Sequence, residues 1–310
     1  MKMNCLVTGA TGFLGRHLTK VLHSRDFKRV TGYTGLMEVT ISNSKTNSLD
    51  RLENLTRLKE KFDYIFHLAA VTKAGDYCLT HQGDQWISNQ KINTNILDYW
   101  KNYQPQAKMI CMGTSCSYSP DLPMSEDNYL KGEPEEGLYT YAMTKRMLLT
   151  GLQSIGEQYG LKWLYFIPST LYGPDFELDD NHFIFDLIRN CYNAKHQGTP
   201  FSIWGDGTQR RELVYVEDAV RFILNLLGEE NQIFNVASGE DYSINEFAGK
   251  VCEIFHYDYK EVKRDLSKYI GVKEKKVDIK KITSVLGGKH FFTSLKEGLQ
   301  KTSEYYISKI

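Results

Sequence analysis

The sequence has no net charge: 38 lysines and arginines stand against 38 aspartates and glutamates. No charge field therefore draws the chain to nucleic acid or to an anionic membrane. No apolar run approaches the ~20 residues that cross a bilayer. The first residues, MKMNCLVTGA, enter a strand pattern without the apolar core and small-residue cleavage site of a secretory signal. Cysteine is sparse and scattered, and Cys5, Cys78, Cys111, Cys116, Cys191 and Cys252 form no C-x-x-C pair. That argues against a metal site and fits free thiols in a reducing cytoplasm. Low-complexity tracts and internal repeats are also missing. What remains is a cytoplasmic α/β protein of 310 residues, long enough for one large domain or two fused lobes.

Short apolar runs alternate with helix-like stretches through the first half, which predicts right-handed βαβ units around a parallel sheet. The expected strands are residues 4–8, 29–33, 64–68, 108–112 and 162–167, with amphipathic segments at 14–24, 92–101 and 144–159. After Pro168 the order breaks into an acidic loop, a helix-like 183–192, a strand at 201–204 and a Gly205-Asp206-Gly207 turn. A helix at 217–227 and a late strand at 232–236 follow. The expectation is a doubly wound Rossmann sheet with a smaller C-terminal α/β lobe. Residues 1–168, rejoined by 214–238, form the dinucleotide-binding domain, and 169–213 with 239–310 form the substrate lobe.

Thr8-Gly9-Ala10-Thr11-Gly12-Phe13-Leu14-Gly15 follows the first strand and opens a helix. Glycines there let the backbone turn tightly and approach a pyrophosphate, which the helix N-terminal amides then stabilise. The spacing is G-x-x-G-x-x-G, one residue longer than the usual fingerprint, and its strand-to-helix context carries the reading. Candidate cofactor contacts are Gly9, Thr11, Gly12, Phe13, Leu14, Gly15 and Arg16. NAD enzymes place an acid at the end of the second strand. Here Thr31-Gly32-Tyr33-Thr34-Gly35 holds none before Glu38, while Arg16, Ser42 and Lys45 lie nearby. That favours NADP(H), with NAD(H) as the alternative.

Tyr141-Ala142-Met143-Thr144-Lys145 is a Tyr-x-x-x-Lys pair. Residues four apart share a helix face, so the ammonium can sit beside the phenol, lower its pKa and suit it to proton exchange with a carbonyl oxygen. With the glycine loop and Met112-Gly113-Thr114-Ser115-Cys116-Ser117-Tyr118, this set resembles the short-chain dehydrogenase/reductase superfamily. Phe66-His67-Leu68-Ala69-Ala70, the 89–95 segment, Leu171-Tyr172-Gly173-Pro174 and Trp204-Gly205-Asp206-Gly207 narrow the resemblance to its extended branch of nucleotide-sugar epimerases, dehydratases and reductases. The motifs run in order along nearly the whole chain.

The resemblance implies that Thr114 hydrogen-bonds the sugar O-4, Tyr141 exchanges the proton and Lys145 also holds the nicotinamide ribose. It adds Leu68, Ala69, Ala70 and Pro168 to the cofactor contacts, and Arg211, with Arg189 and Trp204, to those of a nucleotide-diphosphate sugar. It further implies a homodimer formed through the helices bearing the Tyr–Lys pair. Ser115 and Cys116 stand where 4,6-dehydratases carry Asp and Glu, which argues against dehydration. GDP-fucose synthases carry a Cys and a His where Cys116 and His182 fall. A thiolate and an imidazole suit inversion of the centres beside a 4-keto group. The chain departs from the branch at Thr170, where an Asn is usual. His67 reads as structural and Asp218 as a cap. The resulting expectation is a 4-keto sugar nucleotide epimerase/reductase using NADPH. The alternatives are a 4-reductase or 4-dehydrogenase with Cys116 and His182 idle, an epimerase with bound NAD, and a non-catalytic dinucleotide sensor.

Overall fold

The computed structural model describes residues 3–24, 37–42, 52–72, 76–268, 270–288 and 292–310. A six-stranded parallel sheet forms its centre. The strands are β1 (Met3–Thr8), β2 (Met37–Ser42), β3 (Tyr64–His67), β4 (Lys108–Met112), β5 (Trp163–Pro168) and a late strand, β9 (Gln232–Val236), in spatial order β2-β1-β3-β4-β5-β9. The expected strand at 29–33 lies outside the described residues. Met37–Ser42 pairs with β1 instead, in register from Met3 opposite Met37 to Thr8 opposite Ser42. The expectation of a doubly wound α/β fold holds.

The sheet is covered on both faces, which is why its strands are near-continuous apolar runs. Side chains alternate between two cores with the strand period of two. Cys5, Val7, Tyr64, Phe66, Ile110, Met112, Leu164 and Phe166 face one core. There they meet Leu18 and Leu22 of α1 (Phe13–His23), and Val220 and Ile223 of a later helix, α7 (Val216–Asn225). Leu6, Ile65, Met109, Cys111, Trp163, Tyr165 and Ile167 face the other. Opposite them stand Leu55 of α2 (Leu52–Thr56), Ile96 and Trp100 of α4 (Gln82–Tyr103), and Leu148 and Leu152 of α5 (Tyr139–Tyr159). A short α3 (Asp76–Thr80) precedes α4.

Beyond β5 the chain builds a second core. Strand β6 (Thr170–Tyr172) pairs with β8 (Arg210–Tyr215), which also carries β10 (Asp241–Ser243) antiparallel and β12 (Glu274–Lys275) parallel. A two-stranded pair joins β7 (Ser202–Trp204) to β11 (Lys263–Asp265). Helices α6 (Phe183–Gln197), α8 (Ile244–Phe255) and α10 (Leu295–Lys309) close this core around Ile184, Ile188, Phe247, Val251 and Leu299. Ser243 and Glu246 form a reciprocal capping box at the start of α8, satisfying two of its first N–H groups. A short α9 (Lys280–Val285) returns to the first core through Ile282. The strand order turns back between β1 and β3, and their carboxyl ends open there onto a crevice, the usual ligand position in such sheets.

Candidate active site

The glycine loop closes that crevice tightly. Gly9 sits at φ +70°, and a Cβ there would stand 2.7 Å from the Ala69 nitrogen. A Cβ on Gly15 would come within 2.1 Å of the Gly9 carbonyl, so only glycine lets β1 turn this sharply into α1. The Gly12 N–H donates to the Gly9 carbonyl at 3.0 Å, and the first turn of α1 holds no acid. An open helix N-terminus behind a loop with no room for a Cβ at Gly9 or Gly15 fits a dinucleotide pyrophosphate. Leu14 packs on the sheet core, whereas Phe13 turns to the second core and meets the Phe185 ring edge-on at 5.9 Å.

Leu68 and Ala69 lie against Gly9 of the loop, and a directed chain of hydrogen bonds holds Ala69. The Ala69 N–H donates to Thr8 Oγ1 at 3.3 Å, and Thr8 Oγ1 lies 2.9 Å from His67 Nδ1. His67 Nε2 meets Asn93 Oδ1 at 3.1 Å, and Asn93 Nδ2 donates to the Thr144 carbonyl at 3.4 Å. The chain is consistent only if the Thr8 hydroxyl donates to an unprotonated Nδ1 and Nε2 carries the proton. Burial enforces this neutral form by pushing the His67 pKa down to about 4. His67 is structural, as expected. Its partner Asn93 carried no such signal in the sequence.

Beside this chain stand the three expected redox residues. Tyr141 lies in the first turn of α5, its hydroxyl close enough to Thr114 for that side chain to favour the phenolate slightly against burial. Thr114 also caps the short 3₁₀ turn Ser115–Ser117, its Oγ1 accepting the Cys116 N–H at 3.3 Å. Lys145 follows one turn later, buried, with Nζ donating to the Met112 carbonyl at 2.9 Å. Burial lowers the Lys145 pKa to about 8. The expected effect of Lys145 on Tyr141 is not what the structure displays. Burial raises the phenol well above its ordinary value, and the nearby Cys116 adds to this. The ammonium is turned to a backbone carbonyl, so the phenol stays protonated and is a proton donor as it stands.

Arg146 was missed by sequence reading. Its buried guanidinium donates to the Ser117 carbonyl at 2.9 and 2.6 Å, to Gly132 at 2.7 Å and to Lys131 at 3.0 Å. It thereby holds the 114–118 turn against α5. The adjacency of Arg146 to Lys145 was the one available signal, since a charge on the buried face of a helix needs partners.

Several expected ligand-binding cations are instead engaged within the fold. Arg16 Nη1 donates to the Thr11 carbonyl and to Glu177 Oε1, each at 2.6 Å, and Nη2 donates to the Asp175 carbonyl. It stitches the glycine loop to the chain beyond β6. Lys45, the other expected cation, lies outside the described residues. Arg189 donates to the carbonyls of Leu178 and Asp180 and pairs with Asp186. Arg211 donates to the carbonyls of Arg210, Val272 and Ile270 at 2.7, 2.9 and 2.7 Å. These contacts occupy guanidinium groups that the family resemblance assigns to a diphosphate. Trp204 is half exposed, with Lys268 over its ring at 5.5 Å. Pro168 ends β5 opposite Val236 of β9. Asp218 is buried and accepts from the Thr293 N–H and from Arg221, a structural role.

Cys116 and His182 also have separate partners. His182 precedes α6, and its Nδ1 meets Asp180 Oδ1 at 2.5 Å. Cys116 Sγ accepts from Lys275 Nζ at 3.6 Å.

The sequence matches the NAD dependent epimerase/dehydratase family over residues 5–237, and the chain belongs to that family. GDP-L-colitose synthase of Yersinia pseudotuberculosis is 28% identical, over 99% of both chains. A GDP-L-fucose synthetase from Naegleria fowleri, solved bound to NADP, superposes with a TM-score of 0.86 at 23% identity, over 99% of this chain and 93% of that one. A GDP-6-OMe-4-keto-L-xylo-heptose reductase from Campylobacter jejuni gives a TM-score of 0.86 at 20% identity, over 100% of this chain and 99% of that one. These two structures share the fold.

Proposed function

We propose that the protein is a nucleotide-sugar epimerase/reductase that acts on a 4-keto sugar nucleotide and reduces C-4 with NADPH. The observation that carries this reading is the cluster of Thr114, Cys116, Tyr141 and Lys145 beside a glycine loop that admits a pyrophosphate. The dinucleotide supplies hydride to C-4 when bound. Tyr141 donates its proton to the O-4 atom, Thr114 holds that oxygen by a hydrogen bond, and buried Lys145 carries positive charge below pH about 8. Gly9, Thr11, Gly12 and Gly15, with Leu68, Ala69, Ala70 and Pro168, hold the cofactor.

The preference for NADP(H) rests on the end of β2. Ser42 is followed by Asn43-Ser44-Lys45, with no carboxylate to pair a ribose 2′-hydroxyl. The NADP-bound relative supports the same preference, and NAD(H) is the second choice. The division into lobes, 1–168 with 214–238 and 169–213 with 239–310, is supported by the separate cores except at residues 277–288 and 292, which pack against the central sheet. Six free cysteines support a reducing, cytoplasmic setting. Among the described residues no helix is long and apolar enough to cross a membrane.

A homodimer through α4 and α5 completes the proposal. Trp86, Ile87, Tyr139 and Met147 on these two helices are each more than two-fifths exposed. A groove of about 520 Å³ runs between the starts of the helices, lined by Trp86, Ile87, Tyr139 and Met143.

Incubation with NADPH and GDP-4-keto-6-deoxymannose is expected to oxidise the cofactor, and NADH is expected to serve less well. Failure to turn over any 4-keto sugar nucleotide rejects the proposal. The separate partners of Cys116 and His182 favour one second reading, a 4-reductase that leaves C-3 and C-5 untouched. Solvent deuterium at either carbon of the product argues against it.

A further inference from the structure

Lys275 stands at the junction of three held segments. Its Nζ donates to Cys116 Sγ at 3.6 Å and lies 3.7 Å from Glu135 Oε2, with only 16% and 12% of the two charged side chains exposed. Three successive residues of β8 fix the strand that carries it. The Arg210 N–H donates to the Lys273 carbonyl at 2.8 Å, Arg211 holds the carbonyls of Ile270 and Val272, and Glu212 Oε2 accepts the Val277 N–H at 3.0 Å. On the other side, Thr114 fixes the Cys116 backbone, and Cys116 lies close enough to Tyr141 to perturb its phenol. The amine is thus delivered to the thiol by a built support, next to the hydroxyl that faces the substrate ketone. His182 is paired with Asp180.

We propose that Lys275 is the proton-exchange partner of Cys116, with Glu135, Arg211 and Glu212 as positioning residues. This deepens the epimerising reading given above and rests on it. The step starts once Sγ has passed its proton to solvent through Lys275. Sγ takes the hydrogen from a carbon beside the ketone: the C–H bond breaks, an S–H bond forms and the electron pair moves to the ketone oxygen beside Tyr141. Solvent then protonates the opposite face of that carbon, and the oxygen's electron pair returns to restore the ketone. The thiol passes its proton to solvent through Lys275, so the centre is inverted with no net change in protons.

Two measurements test the assignment. Cys116 is the only one of the six cysteines that is not buried, so limited alkylation by iodoacetamide reports on it. Near neutral pH the K275M variant is expected to alkylate roughly tenfold more slowly than wild type, because Sγ loses the amine that takes and returns its proton. K275R is expected to restore most of that rate. With GDP-4-keto-6-deoxymannose in heavy water and no NADPH, K275M is expected to lose about 10²-fold in deuterium uptake at C-3 and C-5. E135Q is expected to fall between K275M and wild type. Wild-type alkylation or wild-type deuterium uptake in K275M overturns the proposal, and the more so if H182N abolishes uptake. If the wild-type protein takes up no deuterium, the epimerising reading fails, while the alkylation ratio still decides whether Lys275 and Cys116 are paired.

Discussion

Tyr141 keeps its proton because burial opposes the phenolate, and that fits it to give a proton to a ketone oxygen as hydride arrives. Removing the hydroxyl in Y141F should slow NADPH oxidation about 10²- to 10⁴-fold, the usual worth of a positioned acid. Undiminished turnover would place the acid elsewhere. His67 makes a second claim at this scale. Its pKa is depressed to about 4 in the fold against ~6.5 in the unfolded chain. A depressed folded pKa contributes stability that is complete above the unfolded value and is lost as pH falls towards the folded one. The wild type should therefore lose on the order of 3 kcal/mol relative to H67Q between about pH 6.5 and 4. Parallel unfolding free energies for the two proteins across that range would contradict the neutral hydrogen-bonded histidine.

At the scale of elements, the turn after β4 is held mainly from α5. Arg146 donates two hydrogen bonds to its Ser117 carbonyl and two more to the carbonyls of Lys131 and Gly132. In R146L those carbonyls lose their donors, and urea unfolding should register a loss of about 3 kcal/mol. R146K should not rescue it, since one ammonium cannot span three acceptors. The β1, β3, β4, β5 and β9 strands were legible because buried parallel strands are apolar throughout, and the glycine loop because only glycine fits its geometry. Tyr141 and Lys145 were legible from their spacing along a helix, and Thr114 from the family resemblance of the 112–118 stretch. The fates of Arg16, Arg189 and Arg211 were not. Whether a guanidinium faces a ligand or a carbonyl depends on which distant segment folds against it, and 175–177, 178–180 and 270–272 carry no mark of that in sequence. The first turns of α4 were also missed, because Gln82-Gly83-Asp84-Gln85 is polar and the apolar Trp86 and Ile87 that follow point outward.

For the whole molecule, the exposed apolar face of α4 and α5 is the feature that a lone chain leaves unexplained, since contiguous apolar surface on a monomer marks an interaction site. Replacing Trp86 and Met147 by glutamate should convert a dimer to a monomer in sedimentation velocity. If the wild type sediments as a monomer at micromolar concentration, the homodimer is wrong. The seam between the two cores has a different consequence. Phe13, Arg16 and His17 of α1 are all tied to residues 174–185, the last through a 2.9 Å contact with the Pro174 carbonyl. An engineer wishing to exchange one dinucleotide for the other should therefore leave Arg16 untouched, although it sits beside the last glycine of the loop. Its removal would loosen the join between the lobes, whereas coenzyme choice is better sought among the side chains that follow Ser42.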